Sequence, residues 1–279
     1  MSMEIPLLRV EGLSRRYGEA CPACAAPDAA LERNACPRCG TVHALRGIGF
    51  ELYPGETLGI VGESGSGKST LMNCLYFDDE PSSGRAWLRE NGQGEIELFS
   101  LSRQGKRRVR NELLGKVYQN PLLGLRMGFS ACANVAEKLI AAGSRNVAAM
   151  EARASYLLDH VRIPLSRMRE SPAAFSGGMQ QRVQIAKALA NDPPVLLLDE
   201  VTTGLDLSVQ ARVLDLLRSL RKELSAGMLL VSHDLGVIRL LADRTMVMLN
   251  GRIVESGLTD QILEDPQHPY TQELVHSLL

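Results

Sequence analysis

No apolar run in this sequence of 279 residues approaches the roughly 20 residues that would span a bilayer. A spanning helix is therefore excluded, and any work at a membrane needs a partner that supplies one. The opening stretch, MSMEIPLLRV, lacks the long apolar core of a secretory signal, so a cytoplasmic protein with no direct membrane insertion is expected. An excess of one charge is missing too. Lys plus Arg total 31 against 32 for Asp plus Glu, a net charge of -1. That balance gives no bulk attraction to nucleic acid or anionic lipid, and no nucleic-acid partner is expected. No internal repeat is visible. A cytosolic setting also argues against disulfides, so the six cysteines point to a metal or to inert thiols.

What is present is an ordinary globular composition, 45% apolar, in a chain long enough for one large or two modest domains. Strand patterns are expected at 7–17, 42–52, 57–61, 84–99, 195–198, 228–231, 245–249 and 252–256. The last two pair as a hairpin across Asn250-Gly251. Helical patterns are expected at 68–76, 179–190, 209–224 and 235–242, with a mostly helical middle at 120–176. Strands alternating with helices imply an α/β core with a largely parallel sheet. The basic run at 103–110 reads as a solvated helix start, with a phosphate- or nucleic-acid-binding patch as the alternative.

Gly62-Glu63-Ser64-Gly65-Ser66-Gly67-Lys68-Ser69, followed by Thr70, fits G-x-x-x-x-G-K-S/T, the P-loop, between an apolar strand and a helix. Glycine lets backbone N–H groups turn inward around phosphate oxygens, and the helix N-terminus adds partial positive charge. Lys68 is expected on the β- and γ-phosphates of ATP and Ser69 on Mg²⁺. A second apolar strand ends in Asp199-Glu200. Asp199 suits the Mg²⁺ shell, and Glu200 is placed to orient or deprotonate the attacking water.

Phe175-Ser176-Gly177-Gly178-Met179-Gln180-Gln181-Arg182 resembles the signature motif of ABC (ATP-binding cassette) ATPases. The resemblance covers about residues 5–279 apart from an insertion. It implies a P-loop NTPase with a RecA-like core, an antiparallel β subdomain and a helical signature subdomain at 120–176. It further implies a head-to-tail dimer, either with itself or with a related ABC ATPase. In that dimer Ser176, Gly177, Gly178 and Gln180 reach the γ-phosphate of ATP held by the other P-loop. By the same resemblance Gln119 is the Q-loop residue near Mg²⁺ and the water, His233 contacts the γ-phosphate, Asp206 lies in the D-loop, and Tyr17 stacks on adenine. One departure stands out. The family usually reads Asp-Glu-Pro-Thr where this chain has Asp199-Glu200-Val201-Thr202, which frees the backbone and adds an N–H donor beside Glu200.

The stretch 18–43 has no helix or strand period and reads as an insertion that the family lacks. Cys21-Pro22-Ala23-Cys24 and Cys36-Pro37-Arg38-Cys39 are two C-x-x-C knuckles, the pattern of a closed tetrahedral Zn²⁺ site. An iron–sulfur cluster and unligated or redox cysteines are the alternatives. His43 reads as a bystander, and Cys74 and Cys132 as small buried residues.

Two further resemblances bear on the partner. The tail at 265–272 resembles ATPases of oligopeptide and nickel importers. The stretch Gly124-Leu125-Arg126 after the Q-loop resembles instead the ATP-binding subunits associated with carbon–phosphorus lyase, whose partner is a soluble core that cleaves phosphonates. The first implies transmembrane permease subunits as partners, for peptides, nickel or phosphonate. The second implies carbon–phosphorus lyase core subunits. A chaperone-like ABC protein outside transport is a third reading.

Overall fold

The computed structural model describes residues 5–25, 31–90, 94–223 and 225–278. Residues 26–30 of the expected insertion and residues 91–93 lie outside this set. In chain order the first elements are β1 (Leu8–Tyr17), α1 (Pro22–Ala25), β2 (Val42–Leu52), β3 (Thr57–Val61), α2 (Lys68–Leu75), β4 (Ser83–Glu90) and β5 (Gly94–Glu97). Next come α3 (Arg103–Arg108), β6 (Leu114–Val117), α4 (Pro121–Gly124), α5 (Ala131–Ala141), α6 (Val147–His160) and α7 (Gly177–Ala188). The last are β7 (Val195–Asp199), α8 (Leu207–Glu223), β8 (Gly227–Val231), α9 (Leu235–Leu241), β9 (Arg244–Leu249), β10 (Arg252–Leu258), α10 (Thr259–Glu264) and α11 (Pro269–Leu278).

The chain forms two compact units, residues 1–101 with 231–279, and residues 102–230. The first carries an antiparallel sheet in the order β2-β1-β4-β5. In β1, Leu8 and Val10 alternate toward the core, since successive side chains face opposite sides, and a register shift between Val10 and Leu13 brings Leu13 to the same face. The same unit holds strands in the order β10-β9-β3, with β3 parallel to β9 and β10 antiparallel to it. The β9–β10 turn is Asn250-Gly251, both at positive φ (50° and 73°), the geometry that matches hairpin twist.

The second unit holds strands in the order β8-β7-β6, with β6 parallel to β7. Every residue of β7 and β8 is buried, as continuous apolar runs in parallel sheets are. Helix α8 buries Val213, Leu216, Leu217 and Leu220, the i, i+3, i+4, i+7 stripe of an amphipathic helix. The fold is thus α/β with antiparallel and mixed sheets.

Several local expectations shift. β6 and the helices α10 and α11 carry no clear sequence pattern. Helix α7 begins at Gly177 rather than 179, because Ser176 caps it by accepting from the Met179 N–H at 3.4 Å. The basic run is a short helix capped by Ser102 and followed by a π-helical turn, Val109–Leu113. Val42 and His43 belong to β2, paired with Tyr17 and Arg16, so the inserted stretch is the tip of the β1–β2 hairpin. Cys74 is buried, whereas Cys132 is only half-buried.

Candidate functional site

In the first unit β3 delivers the chain into the loop 62–67, and α2 leaves it. Gly62 and Gly67 have φ of 145° and 106°. A Cβ on Gly62 would lie 2.1 Å from the Met248 carbonyl oxygen, and one on Gly67 2.3 Å from that of Ala44. Only glycine fits there, on conformational and steric grounds. Lys68 is buried, and its Nζ donates to the carbonyls of Gly62 and Glu63, both at 2.8 Å, and to Ser66 Oγ at 3.2 Å. The ammonium thus lies against the loop backbone, where phosphate oxygens would meet it. Ser69 is exposed and Thr70 half-buried in the first turn of α2, while Ser64 and Glu63 are exposed. Tyr270 Oη accepts the Glu63 N–H at 2.7 Å, a contact with no sequence signal.

Tyr17 ends β1, with its hydroxyl on Asp79 Oδ2 and the Arg15 guanidinium 4.4 Å from its ring centroid. Burial and the Asp79 hydrogen bond hold its phenol above the usual range. His233 is exposed between β8 and α9. The following Asp234 caps α9 by accepting from Gly236 N at 2.8 Å and Val237 N at 3.3 Å.

In the second unit β7 ends in Asp199, which is buried, and Glu200 follows it, half-buried. Glu200 has φ of 47°, an uncommon value for a residue with a side chain and one that persists where surrounding contacts enforce it. Its Oε2 accepts from Gln119 Nε2 at 2.7 Å and from Thr203 Oγ1 at 3.1 Å. Val201 is buried. Gln119 follows Tyr118, whose N–H and carbonyl are both held by Gln184 of α7, at 3.0 and 3.2 Å. Gln184 also explains Gly124, where a Cβ would lie 2.1 Å from Gln184 Oε1.

Ser176, Gly177 and Gly178 form the start of α7. A Cβ on Gly178 would meet Val209 Cγ1 at 2.1 Å, so glycine lets α8 approach. Gln180 Nε2 donates to the Pro172 and Phe175 carbonyls at 2.9 and 3.2 Å, fixing the turn before the helix. Asp206 Oδ1 accepts from Ser208 Oγ at 2.8 Å and Val209 N at 3.0 Å, which holds its carboxyl below the usual range.

The four knuckle cysteines converge. Cys21 Sγ lies 3.8 Å from the sulfurs of both Cys24 and Cys36, and Cys24 Sγ lies 3.6 Å from that of Cys39. All four sulfurs fall within 4.8 Å of one another. Four thiolates about 2.3 Å from a central ion stand about 3.8 Å apart, so the cluster has the size of a one-ion tetrahedral site. His43 is outside it. The His43 N–H donates to the Asn34 carbonyl at 2.7 Å, and burial with nearby Arg16 and Arg46 pushes its imidazole down.

Comparison with known proteins places these features. The profile of the ABC transporter family matches residues 45–203. The chain belongs to the ABC transporter ATPase family. It is 49% identical over 232 residues to the phosphonates utilization ATP-binding protein PhnK of Escherichia coli (strain K12), covering 83% of this chain and 90% of that one. It is 40% identical over 244 residues to the oligopeptide transport ATP-binding protein OppD of Bacillus subtilis (strain 168), covering 86% and 67%. Among solved structures, a dimeric post-hydrolysis state of the ATP-binding cassette MJ0796 bound to ADP and Pi superposes with TM-score 0.75 at 26% identity. That match covers 90% of this chain and 98% of the other.

As an ABC ATPase the chain hydrolyses ATP with Mg²⁺, and proteins of this family act as dimers. Among the described residues no helix is long and apolar enough to cross a membrane. The profile match begins at residue 45, after the four cysteines. Sequence reasoning passed over Asn34, Thr203, Gln184 and Tyr270. Each is an ordinary polar or aromatic residue that no local pattern marks, and all but Thr203 have their partner far along the chain.

Proposed function

We propose that this ABC ATPase drives a soluble carbon–phosphorus lyase core rather than a membrane channel. Lys68 and the loop N–H groups bind the β- and γ-phosphates, and Ser69, Asp199 and Gln119 complete the Mg²⁺ shell with water. One carboxylate with neutral oxygens suits that small, hard cation. Glu200, oriented by Gln119 and Thr203, takes the proton of the attacking water. His233 contacts the γ-phosphate, and Tyr17 stacks on adenine. Ser176, Gly177, Gly178, Gln180 and Asp206 act across the dimer on the nucleotide held by the other copy, on the cytoplasmic side. Cys21, Cys24, Cys36 and Cys39 hold one structural Zn²⁺, whose four thiolates leave no open position for chemistry.

The observation that carries the partner assignment is the segment after Gln119. Arg126 Nε donates to Glu137 Oε1 at 2.8 Å, and Arg126 N to Asn134 Oδ1 at 2.7 Å. This turn leaves Leu122, Leu123 and Phe129 exposed, and Phe129 lines a hollow of about 350 Å³ with Arg126, Glu137 and Ile140. Exposed apolar side chains grouped in this way suit contact with a partner protein. The phosphonates utilization relative at 49% identity supports the same reading. The competing reading, an importer ATPase, draws on relatives named for peptide import at 42% identity. Tagged protein isolated in parallel from the soluble fraction and from detergent-extracted membranes separates the two. Lyase core subunits in the soluble fraction are expected. Permease subunits in the membrane fraction, with no lyase subunit in the soluble one, would overturn the assignment.

A further inference from the structure

The cysteine-rich module touches the nucleotide loop. Between the two knuckles the chain turns back at Glu32–Ala35, whose backbones exchange N–H···O bonds at 2.9 Å in both directions. The two turn residues, Arg33 and Asn34, have φ of 45° and 78°, the primed-turn geometry that asparagine tolerates and most residues resist. Asn34 is only 5% exposed. Its Nδ2 donates to the carbonyl of Gly65 in the P-loop at 2.9 Å, across 31 residues. Its Oδ1 is buried with no partner among the described residues.

The contact acts on the part of the loop that meets phosphate. The Gly65–Ser66 peptide is planar, so holding its carbonyl fixes the direction of the Ser66 N–H on its far side. The Ser66 N–H donates to the Glu63 carbonyl at 3.2 Å within the loop, and the Asn34 amide ties the other side of the same peptide from outside it. The module is in turn anchored beside the loop. Thr41 Oγ1 donates to the Glu19 carbonyl at 2.6 Å, Cys36 N to the Thr41 carbonyl at 2.9 Å, and His43 N to the Asn34 carbonyl at 2.7 Å. Too small and polar for a core, such a stretch takes its order from a bound ion.

We propose that the four-cysteine module is a metal-dependent brace on the P-loop. With one ion on Cys21, Cys24, Cys36 and Cys39, the 32–35 turn keeps the Asn34 amide on Gly65, and nucleotide affinity follows the metal state of the module. The inference rests on the readings above that the thiolates hold a metal and that the P-loop binds ATP. Asn34 is a positioning residue.

The test titrates a fluorescent ADP analogue with Mg²⁺ into four proteins: the parent chain and Asn34→Gly, each metal-loaded and metal-stripped. Glycine accepts the positive φ, so this variant loses the amide without backbone strain, and its metal content reports whether the module still folds. Metal-loaded Asn34→Gly is expected to keep one ion per chain and bind about threefold to tenfold more weakly, the range of one hydrogen bond. Stripping the parent should weaken binding at least as much. Stripping Asn34→Gly should add less than it does in the parent, the non-additivity of a shared interaction. In turnover, KM should rise by the same factor while kcat stays within about twofold. Asn34→Asp, which keeps the turn but cannot donate, should bind at least as weakly as Asn34→Gly. Parent-like affinity in metal-loaded Asn34→Gly overturns the brace. So does unchanged affinity in the stripped parent. Parent chain purified without any metal overturns the metal reading instead, and parent chain that binds no nucleotide overturns the P-loop reading.

Discussion

Gln119 Nε2 donates to Glu200 Oε2 at 2.7 Å, across 81 residues of sequence. The carboxamide can only donate through that nitrogen and a carboxylate oxygen can only accept, so the bond orients the Glu200 side chain. A carboxylate oriented in this way suits a general base.

Replacing Glu200 with Gln should therefore lower ATP turnover by roughly 10² to 10⁴, the range of general-base catalysis, while nucleotide binding is kept. Lys68→Ala should instead weaken binding, because its Nζ lies within the loop itself. Phosphate release and nucleotide titration on the same preparations distinguish the two. Normal turnover in Glu200→Gln would remove Glu200 from the role of base.

The dimer has its own test. The Glu200→Gln protein, which binds but does not hydrolyse, should double in mass on light scattering when saturated with MgATP. Ser176→Arg in that background should prevent it, by placing bulk at the α7 N-terminus that is proposed to face the other copy's nucleotide. If the mass stays monomeric at saturating MgATP, both alone and with its partner, the shared-nucleotide arrangement fails.

Elemental analysis of chain purified without chelator should give about one zinc per chain. The Cys21→Ser, Cys24→Ser double variant should give close to none, with hydrolysis at saturating ATP largely kept. Iron in place of zinc would identify a different one-ion site. Complete loss of turnover in a double variant that is still folded would mean that the module takes part in coupling or catalysis directly.

Gly178→Ala should destabilise the second unit, because the new methyl would lie 2.1 Å from Val209 Cγ1. Overpacking of this size costs about 1–3 kcal/mol, visible as a lowered Tm. Val209→Ala should recover most of that loss in the double variant. Equal Tm for Gly178→Ala and the parent would mean that α8 gives way without cost.

The contiguous features were legible in the sequence for a physical reason. A P-loop is a backbone turn closed within eight positions, with its lysine and hydroxyl in the same helical turn, so the motif states its own chemistry. The cysteine knuckles are equally local. The hairpin at Asn250-Gly251 and the buried runs of β7 and β8 follow from turn chemistry and hydrophobicity. β6 did not read as a strand. Its Lys116 suggests solvent, yet it is buried with Nζ 4.3 Å from the Tyr118 ring centroid. Its Gly115 is there because a Cβ would lie 2.5 Å from Leu196 Cδ2 and 2.7 Å from the Ala188 carbonyl oxygen.

The sequence by itself determined the family, the phosphate loop, the acidic pair and the presence of a four-thiol module. Tertiary structure alone decided which side chains serve those parts: Gln119 and Thr203 on Glu200, Tyr270 on the Glu63 N–H, Asn34 on Gly65. Apart from Thr203, these are single hydrogen bonds between residues far apart in the chain, fixed only once the elements that carry them have packed. No local spacing or periodicity encodes such a pair, because its two halves meet through strand pairing and core packing rather than through neighbouring sequence.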